Sequence, residues 1–333
     1  MIETTPPSLI PPGKASRNLL LIWAVAASAA AVVLALVAVF FLIQFTRLQK
    51  SVATTIRHSV DSQLPPGARA FRDLPYVSHG HPRQKLDLYL PAAPKGPVII
   101  WIHGGGWVGG TKAEVPGLGM LSLGYTIASL EYRFSSDAIF PAQIEDCKAG
   151  IRWLRAHAQE YGYDPKRFCV WGASAGGHLT ALLATTGNTR DFDVGENLNQ
   201  SSAIQCGIDC FGPADFPGWK PPSDDPTLAR SGSQSLLVAL LGGPVDEKLA
   251  LARRASPLTW VTKDSAPLLI MQGTADPLVG LEQSQRLADK YQSAGAEVML
   301  DVIQGGGHGG PEFSTKERLE QLMAFIHNHL NKP

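Results

Sequence analysis

The residues of this chain that can do chemistry centre on one serine. Ser174 lies in the sequence Gly-Ala-Ser-Ala-Gly, residues 172–176, between an apolar run and a stretch of small residues. This Gly-x-Ser-x-Gly pattern predicts a sharp turn from a strand into a helix, with the serine exposed as a nucleophile. The flanking glycines are needed there because strand and helix backbones cross closely. The alternative interpretation is an ordinary serine at a helix N-cap.

A second pattern is the glycine run of residues 103–107, His-Gly-Gly-Gly-Trp, which follows the apolar segment Val98–Ile102. Three consecutive glycines directly after a buried strand leave backbone N–H groups available to a bound oxyanion. A flexible turn is the alternative, but a turn needs only one or two glycines. We therefore interpret the run as an oxyanion loop, with His103 shaping it.

An acid and an imidazole follow two later strands. Asp276 comes after an apolar run at 267–272, and His308 comes after another at 298–303. In that arrangement His308 would accept the Ser174 proton and Asp276 would hold the imidazole in the required tautomer. Asp209 and Asp215, near the end of the preceding strand, are the alternative acids.

The apolar periodicity predicts the scaffold for these residues. Strands are expected at 71–79, 84–90, 98–102, 125–130, 204–211, 267–272 and 298–303, with a further strand leading to Ser174. Helices are expected from Pro141 to Gly162, from the serine turn to Thr186, and at the C-terminus with Leu319, Leu322, Ile326 and Leu330 on one face. This alternation predicts an α/β fold, with a mostly parallel sheet and helices on both faces. Sites in such sheets form beyond the carboxyl ends of the strands.

The N-terminus carries a separate signal. Residues 19–43 contain no charged side chain, and a run of roughly 25 apolar residues is long enough to cross a bilayer as a helix. A cleaved signal peptide is the alternative, but its apolar region is usually shorter. We predict a disordered tail at 1–18, a single-pass anchor at 19–43, a stalk at 44–67 and a catalytic domain at 68–333. Basic residues flank the span on both sides, so charge does not set its orientation.

The charge and cysteine content of the chain limit the kinds of partner and cofactor that we expect. The chain has 29 Lys and Arg residues against 29 Asp and Glu residues, and no basic stripe, which argues against nucleic acid. Four cysteines are present, and we expect them to be buried free thiols: Cys147, Cys169, Cys206 and Cys210. Their spacing matches no zinc site, and no metal or organic cofactor is predicted.

Taken together, these motifs resemble the α/β-hydrolase superfamily, in the esterase and lipase group with an HGGGW oxyanion motif. The chain is similar to the bacterial branch of feruloyl and acetylxylan esterase-like proteins. The matching segments are 103–107 with Gly109, Gly110 and Lys112, then 131–133, 141–146, 153–154, 172–178, 255–257, 273–277 and 307–308. The resemblance implies a Ser174–His308–Asp276 triad and oxyanion donors at Gly105, Gly106 and Ala175. It also implies a small cap-like insertion at 213–256, otherwise expected to be irregular with one short helix near 235–241.

The resulting expectation is a membrane-anchored serine esterase that works through an acyl-enzyme. Its substrate would be a small-molecule or carbohydrate-linked ester, its other partner the lipid bilayer, and its catalytic domain would face the extracytoplasmic side. Aromatic residues near the strand ends are predicted to line the substrate pocket, with core packing as the alternative: Trp107, Tyr132, Phe211, Phe216 and Trp219. The rival functions are an amidase or peptidase on the same fold, and an inactive anchored binding protein.

Overall fold

The structure is a computed structural model that describes residue 57, residues 59–219 and residues 233–331. The predicted tail and anchor, residues 1–43, lie outside this range, as do residues 44–56 and 58 of the predicted stalk. The stalk residues 59–62 are helical, and the helix ends before Pro65. No helix within the described ranges has both the length and the apolar character needed to cross a membrane. Residues from Ser59 onward form one compact unit.

Eight strands form a single sheet in the order β1-β2-β4-β3-β5-β6-β7-β8. Their bounds are β1 Arg69–Pro75, β2 Lys85–Leu90, β3 Val98–Ile102, β4 Thr126–Leu130, β5 Phe168–Ala173, β6 Cys206–Cys210, β7 Leu268–Gly273 and β8 Val298–Ile303. Strand β2 pairs antiparallel with both of its neighbours, and every other pairing is parallel. The predicted mostly parallel sheet is therefore confirmed, and β1 and β2 form an antiparallel pair at its edge.

The helices described are α1 Ala142–Ala156, α2 Ala158–Tyr161, α3 Ala175–Thr186, α4 Ser233–Leu241, α5 Leu249–Ala255, α6 Pro257–Trp260, α7 Leu281–Ala294 and α8 Lys316–Leu330. Helices α1, α3, α6 and α7 pack in one connected layer over the sheet, while α8 contacts β5 and β6 without joining that layer. Short 3₁₀ helices lie at Leu118–Leu123 and Pro311–Ser314. Flanking helices thus cover the sheet as predicted.

Three features of the helices differ from expectation. The described part of segment 213–256 contains α5 as well as the predicted α4, because the residues after Lys248 are mostly leucine, alanine and arginine, which favour helix. Helix α7 was not predicted, since its buried face begins with the polar pair Gln283 and Ser284 and so breaks the apolar periodicity. On α8, Leu319 is exposed although the periodicity places it on the buried face.

The core is built on the continuously apolar strands. Ile100 and Ile102 of β3 and Val170 of β5 are fully buried between the helical layers, as expected for central parallel strands. All four cysteines are buried free thiols, as predicted. This core fixes the strand ends at which the candidate site lies.

Candidate active site

Ser174 occupies the turn between β5 and α3. Its backbone adopts φ +56° and ψ −118°, a left-handed conformation that strains a residue with a Cβ. A 2.8 Å hydrogen bond from the Ser174 N–H to the Cys210 carbonyl ties the turn to β6. A Cβ at Gly172 would overlap the Gly176 carbonyl, and one at Gly176 would overlap the Ile102 carbonyl. The glycines thus allow the tight crossing that presents the serine.

His308 and Asp276 complete a hydrogen-bonded chain with this serine. His308 Nε2 lies 2.9 Å from Ser174 Oγ, and His308 Nδ1 lies 2.7 Å from Asp276 Oδ2. Since the ionised carboxylate only accepts, Nδ1 carries the proton and Nε2 is free to accept from the serine hydroxyl. The structure therefore brings together the three residues that the strand ends indicated.

The Asp276 carboxylate is buried and well supplied with donors. Its Oδ1 accepts from the Leu278 and Val279 N–H groups at 2.8 and 2.9 Å, and its Oδ2 accepts from the Gln272 amide at 3.1 Å as well as from His308. Burial would raise the pKa of Asp276, but the hydrogen bonds from His308 and the two N–H groups outweigh burial and lower it. The carboxylate is consequently kept ionised beside the imidazole.

The alternative acids lie elsewhere. Asp209 is buried beneath the turn, where its Oδ1 accepts from the Gly212 N–H at 2.8 Å, and burial raises its pKa to about 7. Asp215 forms an ion pair with Arg286. Within the described residues neither carboxylate contacts His308, so the geometry assigns the imidazole partner to Asp276 alone.

The glycine loop lies beside the serine turn. Gly105 and Gly106 have φ values of +105° and +59°, and a Cβ at Gly105 would overlap the Gly109 carbonyl. In the described part of the chain, the N–H groups of these two glycines have no hydrogen-bond acceptor. Ala175 is the first residue of α3, where the helix itself supplies no acceptor for the N–H. These three N–H groups are the available oxyanion donors.

His103 holds this loop from beneath. It is 2% exposed, its Nδ1 lies 2.8 Å from the Gly104 carbonyl, and its ring stacks on Tyr132 at 4.6 Å. The Tyr132 hydroxyl donates to the His103 carbonyl at 3.1 Å. Burial lowers the pKa of His103, so its imidazole is neutral at physiological pH. The residue shapes the loop, as the sequence suggested.

Three of the five aromatic residues predicted to line a pocket pack in the core instead. Trp107, Tyr132 and Phe216 are each 1% exposed or less. Trp107 Nε1 donates to His178 Nδ1 at 3.2 Å, and the His178 ring stacks on Phe216. These side chains support the loop and α3 from within, so packing is the better interpretation for them.

The other two predicted aromatics differ from each other. The Phe211 ring lies 4.6 Å from the His308 ring and 5.0 Å from that of Phe313, so Phe211 borders the site. Trp219 is partly buried and stacks on Phe216 at 6.0 Å. Phe313 was missed because it lies in a short 3₁₀ helix after a glycine-rich loop, where no periodicity marks it.

The segment predicted as a cap contributes one contact to the loop. A Cβ placed on Gly106 would lie 2.7 Å from a Leu236 methyl group, so helix α4 lies directly against the glycine loop. Among the described residues, no cluster of three or more His, Cys, Asp or Glu side chains is arranged to hold a metal ion. The arrangement is thus a hydroxyl beside an imidazole, a buried carboxylate and converging N–H donors, which together suit nucleophilic attack on a carbonyl.

Comparison with known proteins supports the same chemistry. The BD-FAE family model matches residues 86–291, more than half of the chain. The chain is 29% identical over 263 residues to esterase LipC of Mycobacterium tuberculosis, covering 74% of this chain and 63% of that protein. It is 26% identical to a probable isoprenylcysteine alpha-carbonyl methylesterase of Arabidopsis thaliana, covering 70% of this chain and 51% of the relative.

A solved structure is also similar. A truncated carbohydrate esterase from gut microbiota superimposes with a TM-score of 0.71 at 28% identity, covering 79% of this chain and 97% of that one. The chain spans only about half to just under two thirds of the length of the curated relatives it matches. The fold is that of an α/β-hydrolase.

Proposed function

Because the chain belongs to the BD-FAE family, we propose that it is a carboxylic ester hydrolase with Ser174 as its nucleophile. The observation that carries this proposal is the hydrogen-bonded chain from Ser174 Oγ through His308 to Asp276, at 2.9 and 2.7 Å. The relatives named as esterases support the same reaction class.

The geometry supports a two-step reaction. Ser174 Oγ attacks the ester carbonyl while His308 Nε2 accepts the hydroxyl proton, giving a tetrahedral oxyanion facing the N–H groups of Gly105, Gly106 and Ala175. The C–O bond to the alcohol then breaks, and His308 returns the proton to the leaving alkoxide. Water, deprotonated by His308, then attacks the acyl-enzyme. The bond between Ser174 Oγ and the acyl carbon breaks, His308 returns the proton to Oγ, and the carboxylic acid is released. Asp276 stabilises the imidazolium in both steps.

For the substrate, we propose a small-molecule or carbohydrate-linked ester. The similar solved structure is titled a carbohydrate esterase, which supports the second class. Phe211 lies beside His308 and Phe313 packs on Phe211, so the two rings offer an apolar border to the group that leaves on that side. No metal or organic cofactor is needed for this chemistry.

We further propose that residues 19–43 anchor the enzyme in a lipid bilayer, with the catalytic domain on the extracytoplasmic side. The support is the uncharged apolar run itself, which is long enough to span the hydrocarbon core. Extracellular or periplasmic esters would then be the accessible substrates.

Labelling with a fluorophosphonate probe tests the nucleophile directly. We expect the wild type to label and Ser174→Ala not to label. An unlabelled wild type would indicate an inactive binding protein, and equal labelling of Ser174→Ala would show that Ser174 is not the nucleophile.

We also expect Asp276→Asn to lower kcat by up to about 10⁴-fold while leaving the fold intact, because it favours the wrong imidazole tautomer.

A substrate panel separates esterase from amidase. p-Nitrophenyl acetate, longer acyl esters, methyl ferulate and an anilide cover the main acyl and leaving-group classes. We expect ester turnover to exceed anilide turnover, and comparable rates on both would favour an amidase or peptidase.

A further inference from the structure

Gln272 is a fully buried polar side chain that none of the reaction steps uses. It is the penultimate residue of β7, four positions before Asp276, and it is 0% exposed. Its Nε2 lies 2.9 Å from the Val279 carbonyl, 3.1 Å from Asp276 Oδ2 and 3.3 Å from the Gly273 carbonyl. The amide therefore spans the whole turn that carries the acid.

Asp276 Oδ2, the oxygen that Gln272 contacts, is also the one that accepts from His308 Nδ1. The two donors thus share one carboxylate oxygen, while Oδ1 is taken up by backbone N–H groups. A change in the Gln272 donor alters both the position of Oδ2 and the charge it offers to the imidazole.

The direction of the Gln272 amide is fixed by its surroundings. All three groups near Nε2 are acceptors, so an amide turned the other way would place an oxygen against three oxygens. On the other side, the Ser284 hydroxyl of α7 donates to Gln272 Oε1 at 3.0 Å. Ser284 is also 0% exposed, so this donor is held within the core.

We propose that Gln272 is a positioning residue for the Asp276–His308 pair, with Ser284 fixing the direction of its amide. The proposal rests on the proposed function, since it concerns the same acid and base. The Gln272 amide holds Oδ2 at the distance His308 needs and neutralises part of the carboxylate charge. Ser284, one of the two polar residues that hid α7 from periodicity, is thereby explained as support for the site.

The test variant is Gln272→Met, which keeps the length of the side chain and removes the amide. We expect kcat for p-nitrophenyl acetate to fall about tenfold to a hundredfold, because Asp276 Oδ2 is then no longer held at the distance that His308 needs. KM changes little, since Gln272 does not reach the substrate. The acidic limb of the kcat/KM profile moves to higher pH, because a carboxylate with fewer donors holds the imidazolium more tightly. Ser284→Ala, a milder change, should shift kcat and the limb in the same directions by less.

Gln283 provides a matched control. It is equally buried and lies next to Ser284 on α7, but its Oε1 accepts from the Ala214 and Asp215 N–H groups instead of supporting the acid. Gln283→Met should lower the melting temperature, as any lost buried acceptor would, and leave the acidic limb at the wild-type pH.

The outcomes are distinguishable. If the wild type fails to hydrolyse esters and does not label with the fluorophosphonate, the proposed function itself is wrong. If the wild type is active but Gln272→Met and Ser284→Ala leave kcat and the acidic limb unchanged, the positioning role is wrong. The role is equally wrong if Gln283→Met moves the limb as far as Gln272→Met. Should Gln272→Met fail to fold, the limb position in Ser284→Ala decides.

Discussion

At the scale of single residues, the pKa values of two buried carboxylates in this domain shift in opposite directions. Asp276 receives two backbone N–H groups, an amide and an imidazole, and these donors lower its pKa despite burial. Asp209 receives one backbone N–H, and its Oδ2 has no partner among the described residues. Burial then dominates and raises the pKa of Asp209 to about 7. The number of donors, and not burial alone, therefore decides that the pKa of Asp276 is lowered and that of Asp209 is raised.

This difference predicts how stability depends on pH. Asp209 has a pKa of about 7 in the folded chain and an ordinary value of 3.8, so between these values only the folded state holds the proton. The contribution of Asp209 to stability is therefore full below about pH 4 and is lost as pH rises to about 7. In Asp209→Asn this loss is absent, and the oxygen of the introduced amide can still accept from the Gly212 N–H.

We expect the unfolding free energy of Asp209→Asn, minus that of the wild type, to increase by about 1.4 kcal/mol per pH unit between pH 4 and 7 and then to level off. Urea denaturation at a series of pH values measures it. His178, whose burial lowers its pKa to about 4, acts with the opposite sign but cancels in the difference. A difference that stays constant with pH would show that Asp209 is ionised in the folded protein.

At the scale of elements, the sequence is most informative where one local requirement decides the structure. Strand β3 is apolar at every position and is buried on both faces. The tight turn at Ser174 tolerates only glycine at the positions where a Cβ would overlap a neighbouring carbonyl. Helix α7 was not predictable in the same way, because Gln283 and Ser284 are buried through partners distant in sequence. Likewise, Trp107 packs inward because His178 of α3 accepts from its indole, and neither residue's own neighbourhood reveals that contact.

Helix α1 also fastens a long surface loop. Arg152, with no exposed side-chain surface, donates to Asp193 at 2.9 Å and to the Glu196 carbonyl at 3.2 Å. Lys148 of the same helix donates to the Thr189 carbonyl at 3.2 Å and to the Asp191 carbonyl at 2.6 Å. Residues 187–203 form no helix or strand that could supply donors to their carbonyl groups. Basic side chains of α1 donate to some of these carbonyls instead.

We therefore expect Arg152→Met to lower the unfolding free energy by up to about 3–5 kcal/mol, because it leaves the buried Asp193 carboxylate without its nearest cation, and Lys148 lies farther away at 3.6 Å. Arg190 offers a matched control, since it also faces Asp193, at 3.7 Å, but is 72% exposed. Arg190→Met should change stability by less than about 1 kcal/mol. Urea denaturation at 25 °C measures both.

The double variant Arg152→Met/Asp193→Asn should recover part of the lost unfolding free energy, since it also removes the negative charge of Asp193. Activity of the folded variants should match the wild type, because α3 separates this loop from Ser174 by about 18 Å of helix. If Arg152→Met and Arg190→Met destabilise equally, the buried pair has no special weight.

At the scale of the whole molecule, the chain combines a compact unit that begins at Ser59 with an uncharged apolar run at 19–43. The formal net charge is zero, so electrostatic attraction to anionic lipids does not favour membrane binding. We therefore propose that the apolar run supplies most of the membrane association.

We expect the full-length chain to remain in the membrane fraction after alkaline carbonate washing and to be released only by detergent. A variant that begins at Ser59 should be recovered without detergent, and its kcat on p-nitrophenyl acetate should match that of the full-length enzyme. The physical reason is that burying roughly 25 apolar residues in hydrocarbon outweighs any loss of chain freedom. Fractionation followed by immunoblotting and activity assay measures both variants.

A full-length control keeps the chain length constant. Val32→Arg combined with Leu34→Arg places two charges near the centre of the run, at about 2.5–3.5 kcal/mol each, and should shift the protein out of the membrane fraction. If the unmodified chain is washed off by carbonate, residues 19–43 do not form an anchor. An N-terminus mapped beyond residue 43 in the mature protein would instead identify the run as a cleaved signal peptide.

We place the catalytic domain of the anchored form on the extracytoplasmic side. Protease added to intact cells should therefore degrade that domain. Protection of the domain from the protease would reverse the proposed orientation.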